Sequence, residues 1–284
     1  MSTSVLYDAP GPRTVARHRV YAIVTVLVAL GVLALIVWKL QATGQLENDQ
    51  WEVFVTPDYV RVILVDGLLK TLEMAFFAIV LAVVFGVVFG VGKLSEHRWV
   101  RWPCWVVVEF FRAMPVLLLM TFLFLWLSVG DGPLSPFWCV VVALMLYNGS
   151  VLAEVFRAGI NAVPRGQVEA AYALGMRKTQ VMSSIQLPQA VKIMLPALVS
   201  QCVVALKDTS LGYYILAPGL TAIGKPIYQV FFNQVPVVIV LAAFYIICNL
   251  LLTALATWLQ RRYVGEKSPL DTTRVGNLDG GRNA

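Results

Sequence analysis

The sequence predicts an all-α membrane protein with six transmembrane helices, and three observations carry that reading. Of 284 residues, 59% are hydrophobic and 13% charged, with a mean hydropathy of +0.76, outside the range in which a soluble globule keeps a polar skin. Apolar runs of about 20 residues recur, the length a helix needs to cross hydrocarbon, where a barrel would show short alternating segments. Basic residues collect in alternate loops, as the positive-inside rule requires.

The spans fall near 20–38, 72–91, 105–127, 136–156, 194–216 and 235–259. Arg13, Arg17 and Arg19 precede the first. Its apolar run exceeds the ~7–15 residues of a secretory signal core and lacks an A-x-A-like exit, so it is read as a retained anchor. This gives a cytoplasmic tail over 1–19, an N-terminal anchor over 20–40 and an extracytoplasmic loop over 41–65. That loop carries Glu47, Asp49, Glu52 and Asp58, with Asp66 just beyond, while Lys93, Arg98 and Arg101 follow the second span. Arg165, Arg177, Lys178 and Lys192 follow the fourth span, and Arg261, Arg262 and Lys267 the sixth, so both termini are expected in the cytoplasm. The net charge of +6 therefore reports topology and not nucleic-acid binding. Cys104, Cys139, Cys202 and Cys248 stand singly in apolar segments and read as packing residues.

Between the fourth and fifth spans lies a polar stretch, EAAYALGMRKTQVMSSIQLP, from Glu169 to Pro188. Helix formers from Gln167 to Leu174 predict a short helix with Glu169 in its early part, where the helix dipole favours an anion. Gly175 permits a bend, a second helical piece is expected over 179–185, and Pro188 starts a new direction. Such a knob suits a groove on another protein. The alternative is an amphipathic helix among lipid headgroups, with Arg177 and Lys178 near phosphate.

Glu169, Ala170 and Ala171, then Gly175, then Ile185, Leu187 and Pro188 follow the pattern E-A-A, three residues, G, nine residues, I-x-L-P. This resembles the EAA loop of membrane subunits of ATP-binding-cassette (ABC) importers. The stretches GLLKTLEMAFFAIVLAVVFGVVFG, EFFRAMPVLLLM, AEVFRAGINAVPRGQVEAA and LKDTSLGYYILAPGLT resemble the polar-amino-acid permeases of that class, above all glutamate permease subunits of actinobacteria. Ala113 departs from the glycine usual in that family's FRGTP segment. The resemblance covers about 66–262 and implies a type I importer permease core of five helices with a coupling loop over 161–188; outside it stand the extra N-terminal helix and a cytoplasmic tail over 263–284, whose Gly-, Ser-, Asp- and Asn-rich composition predicts disorder. It further implies that Glu169, Ala170, Ala171 and Gly175 couple to a cytoplasmic pair of ATP-binding subunits. The other implied partners are a second permease subunit, a related chain, and an extracytoplasmic solute-binding protein. ATP and Mg belong to the partner ATPase, since this chain has no G-x-x-x-x-G-K-[ST] loop. No cofactor and no catalytic residue are expected in the chain.

Ionisable residues inside spans are costly unless paired or wet, so they are the remaining candidates. Lys207 and Asp208 in the fifth span either recognise an amino acid's charged groups or form a buried pair with neighbouring helices. Glu154 and Arg157, and likewise Glu109 and Arg112, are spaced to pair on one helical face, structurally or as a gate near the inner mouth. Asn148 lies mid-span, where it can meet a polar solute or bridge two helices. The expected function is an ATP-driven amino-acid importer permease working by alternating access, with glutamate preferred. The competing reading is an ion- or proton-coupled secondary amino-acid transporter.

Overall fold

A computed structural model describes residues 12–264, and every regular element among them is helical. Of the expected tails at 1–19 and 263–284, residues 1–11 and 265–284 lie outside the described residues, while 263–264 belong to the last helix. Residues 12–48 form one unit and Asp49–Val264 a second.

In the first unit α1 (Pro12–Ala42) starts earlier than expected, so 12–19 is helix and not tail. Proline fits a helix start because its missing N–H would be unpaired there anyway. None of the residues in its apolar window is buried.

The second unit opens with α2 (Asp49–Glu52) and α3 (Pro57–Arg61). A π-helical turn over Val62–Leu69 then feeds α4 (Lys70–Lys93) without a break. The loop expected to end at residue 65 is therefore largely helical, and the second span is the end of a continuous rod, Pro57–Lys93. Pro57 fixes the start: Thr56 before it is extended, with φ −71° and ψ 125°.

The third span differs most from expectation. α5 (Arg98–Ala113) and α6 (Val116–Leu127) meet at a bend of 101°. Pro115 drives its predecessor out of the helical region, leaving Met114 with ψ 132°. At about 1.5 Å per residue α6 is only about 18 Å long, too short to cross alone. The described residues thus hold five helices able to cross a membrane, or six if the bent pair makes one crossing.

α7 (Pro136–Asn161) is the central rod. Beyond it come α8 (Arg165–Ala173), α9 (Lys178–Val181), a π turn over Met182–Gln186 and α10 (Leu187–Asp208). Pro188 does not start a new direction, because α9, the π turn and α10 continue as one rod, Lys178–Ile215. The wider turn, in which the Leu187 N–H bonds the Met182 carbonyl, admits a proline that an unbroken α-ladder would resist. A 3-10 segment, Thr209–Ile215, leads to α11 (Leu220–Phe231) and α12 (Gln234–Val264). α11 lies between the expected fifth and sixth spans. Its first N–H, on Leu220, donates to Thr71 Oγ1 at 2.8 Å and pins it to α4.

The strongest packing joins α4 to α7. Ala78, Ala82, Gly86 and Gly90 recur every fourth residue on the buried face of α4. A Cβ at Gly86 would lie 2.7 Å from that of Leu152, so glycine is what allows this approach. In lipid, where the apolar surroundings are as oily as the helices, close backbone approach of this kind carries helix association.

Candidate functional site

Three constellations occupy this frame: an exposed knob, an ionic cluster and a polar groove. The knob is α8 and the turn after it. Gly175 has φ +78°; its N–H bonds the Tyr172 carbonyl at 2.9 Å, and Met176 N–H bonds the Ala171 carbonyl at 3.2 Å. This is a Schellman turn, which ends a helix with a left-handed residue and satisfies its last carbonyls. A Cβ on Gly175 would meet nothing within 4 Å, so backbone conformation and not crowding selects glycine.

Val168 packs on the buried cluster of Ile160, Val163, Ala190 and Met194. Ala171, expected at the coupling surface, is 2% exposed and holds the knob from within. Glu169, Ala170, Tyr172, Ala173 and Leu174 remain exposed, Leu174 at 83%. Glu169 sits at mid-helix and not in the early part, because α8 already begins at Arg165 and its first turn has no acidic residue. Two polar bonds tie the knob down. Gln189 Nε2 donates to Gln167 Oε1 at 2.6 Å, and Lys178 pairs with Glu96 in the turn between α4 and α5. The hydrogen bond from Lys178 and then its charge hold the Glu96 carboxyl below the usual carboxylate range.

The two carboxylate–arginine pairs read from the sequence are one cluster. Lys93, with 5% of its side chain exposed, bridges Glu109 at 3.1 Å and Glu154 at 2.8 Å. Arg112 Nη1 meets Glu109 at 3.2 Å, and Arg157 Nε meets Glu154 at 2.9 Å. The ends of α4, α5 and α7 are thereby locked through one ammonium. Sequence spacing marks Lys93 only as a topological charge, because its partners lie 16 and 61 residues away.

Asn148 is 1% exposed and accepts from Gln201 Nε2, bridging α7 to α10; its own Nδ2 has no partner. Lys207 and Asp208 end α10. Among the described residues neither forms an ion pair, so the expected buried pair with a neighbouring helix is absent. Lys207 instead lines a groove of about 660 Å³ with Ser210, Thr221, Tyr245 and Asn249, and is the sole charged residue on its wall. Asn249 is 9% exposed; its Nδ2 bonds the Tyr245 carbonyl at 2.7 Å while its Oδ1 is unpaired. Neither Asn148 nor the residues of the ionic cluster line this groove.

Residues 82–265 match the family described as binding-protein-dependent transport system inner membrane component. The chain belongs to that family. The permease is 43% identical over 226 residues to the glutamate transport system permease protein GluD of Corynebacterium glutamicum, covering 78% of this chain and 83% of that one. It is 36% identical over 155 residues to the probable glutamine ABC transporter permease protein GlnP of Bacillus subtilis, covering 55% of this chain and 71% of the relative. A crystal structure of an amino acid ABC transporter with histidines superposes with a TM-score of 0.67 at 29% identity, covering 74% of this permease and 98% of that chain.

The permease is thus a multi-pass transport component and not an enzyme. Its geometry fits that work. α4 and α7 pack closely along a seam, the ionic cluster ties the ends of α4, α5 and α7 together, and α8 stands exposed outside that seam.

Proposed function

We propose that this permease passes an acidic amino acid, glutamate, across a bacterial cytoplasmic membrane by alternating access, driven by ATP hydrolysis on separate subunits. The observation that carries the reading is α8, whose exposed Ala170, Ala173 and Leu174 stand on a helix closed by Gly175 within the E-A-A-x-x-x-G spacing. A low, smooth helix held only from beneath suits a cleft in a cytoplasmic ATPase. Glu169 and Gly175 serve as the coupling signature there, with Ala171 as the packing residue that supports them. ATP and Mg are held by that partner pair, and this chain holds no cofactor. A second permease of related sequence and an extracytoplasmic solute-binding protein complete the assembly, with both termini of this chain in the cytoplasm.

Glutamate is favoured by the glutamate permease relative and by the groove, where Lys207 offers a carboxylate an unpaired ammonium and Asn249 and Ser210 offer hydrogen bonds. Asp208 flanks this site, Asn148 bridges α7 to α10, and Glu154 with Arg157 belongs to the inner latch. The ion-coupled alternative is not favoured, because the matching family is binding-protein-dependent and the similar proteins include ABC transporter permeases. The test is uptake of radiolabelled glutamate into vesicles holding the full complex. ATP-dependent uptake that needs the partner ATPase and binding protein is expected; uptake driven by an ion gradient without ATP would overturn the proposal.

A further inference from the structure

A cavity of about 1060 Å³ belongs neither to the coupling knob nor to the Lys207 groove. It lies beside the first turns of α5, with Lys93, Glu109, Glu154 and Arg157 on its wall. Trp99, Trp102 and Trp105 also line it, exposed by 92%, 67% and 51%. Arg98 and Arg101, one helical turn apart, complete the rim.

The charges on this wall are four cations and two carboxylates. Lys93 and Arg157 are already engaged by those carboxylates. Arg98 and Arg101 are exposed and form no ion pair among the described residues. Two free guanidiniums therefore face a space far larger than one inorganic anion, at the end of the apolar rod α4 and ringed by indoles. Indole is the side chain that settles at a membrane–water boundary, apolar in its body and polar at its N–H. Guanidinium pairs with phosphate through two parallel hydrogen bonds. A ligand that meets both surfaces has an anionic phosphate and a hydrocarbon part.

We infer that this cavity is a binding site for an anionic phospholipid, with Arg98 and Arg101 holding the phosphate and Trp99, Trp102 and Trp105 packing the glycerol and upper acyl chains. The bound lipid braces α5 against α7 next to the Lys93 cluster, so its occupancy stiffens the latch among α4, α5 and α7. The site is distinct from the substrate groove and does not depend on the identity of the transported solute.

The test uses the assembled importer in symmetric vesicles, either phosphatidylcholine alone or phosphatidylcholine with phosphatidylglycerol, so that neither membrane orientation nor sidedness enters the result. Native mass spectrometry reads lipid retained through purification, and ATP-driven uptake is measured beside it. The wild type is expected to retain phosphatidylglycerol and to transport faster in its presence. The double variant R98Q/R101Q is expected to weaken retention at least about ten-fold and to lose that stimulation, while uptake in phosphatidylcholine is unchanged. The double variant R98K/R101K, which keeps the charge, is expected to retain part of the lipid, and this separates lost binding from lost folding. Equal retention by wild type and R98Q/R101Q overturns the site. Displacement of the lipid by soluble glycerol phosphate at equal concentration also overturns it, by assigning the pocket to a free phosphate. Lipid retention is read without transport, so a failure of the transport proposal leaves this result standing on its own.

Discussion

The seam between α4 and α7 and the exposed helix α8 are made from the same small residues put to opposite uses. In the seam, Ala78, Ala82, Gly86 and Gly90 are buried because another helix of this chain lies against them. On α8, Ala170 and Ala173 stay exposed and Gly175 has open space around it. Small residues allow close approach in both places. In the first the approaching surface is present in the chain; in the second no described element of the chain covers the exposed residues, and the proposed function assigns that surface to a partner. The difference teaches that alanine and glycine alone do not distinguish a packed seam from a docking face. What distinguishes them is which neighbours the fold brings near.

The widest break of that comparison comes from enlarging one residue on each side. Gly86→Leu should overpack the seam by about 3 kcal/mol, the upper end of the usual range, seen as loss of folded protein and a fall in Tm in detergent. Ala170→Leu should leave stability within about 0.5 kcal/mol of wild type yet cut ATP-driven uptake, because the cost appears only on docking. Lys93→Met should destabilise on the order of 1–3 kcal/mol, measured by thermal unfolding, since it strips Glu109 and Glu154 of a shared, buried partner. The partial exposure of both glutamates and their arginines keeps the loss from being larger. At Gly175 the left-handed backbone sets a graded outcome. Asparagine should preserve uptake, whereas valine, which resists that conformation by about 1–2 kcal/mol, should lower coupling measured as glutamate moved per ATP hydrolysed. Normal coupling in the valine variant would remove the turn from the mechanism.

The smallest effect belongs to the tether between Lys178 and Glu96. Its carboxyl is depressed in the folded state, so its contribution is present above the ordinary carboxylate range and fades as pH falls through the depressed value. Stability of wild type and Glu96→Gln should therefore show the same pH dependence between about pH 6 and 8 and diverge only in acid. Both side chains are exposed, so the tether should also weaken with added salt.

Much of this was readable in the sequence where the signal is local. Span positions follow from apolar run length, and the end of α8 follows from one glycine whose backbone preference is intrinsic. The bend at Pro115 was visible in principle, yet a hydropathy window averages across it and returns one span. The π turns at Val62–Leu69 and Met182–Gln186 left no signal, because a ladder that slips by one residue keeps the same helix formers. The lock at Lys93 and the contact of Asn148 with Gln201 join residues separated by up to 61 positions, which no spacing rule reaches. Burial of Ala171 within an otherwise exposed E-A-A run likewise depends on how α8 leans on α9 and the following π turn.

The most direct measurement of the central claim is cysteine cross-linking between α8 and the partner ATPase in the assembled complex, with Cys104, Cys139, Cys202 and Cys248 first replaced. Single cysteines at Ala170, Ala173 and Leu174 should cross-link to the ATPase and react with reagents from the cytoplasmic side, while a cysteine at buried Ala171 should do neither. Cross-linking at Ala171 equal to that at Ala170, or labelling of Ala170 from the outside, would contradict the account.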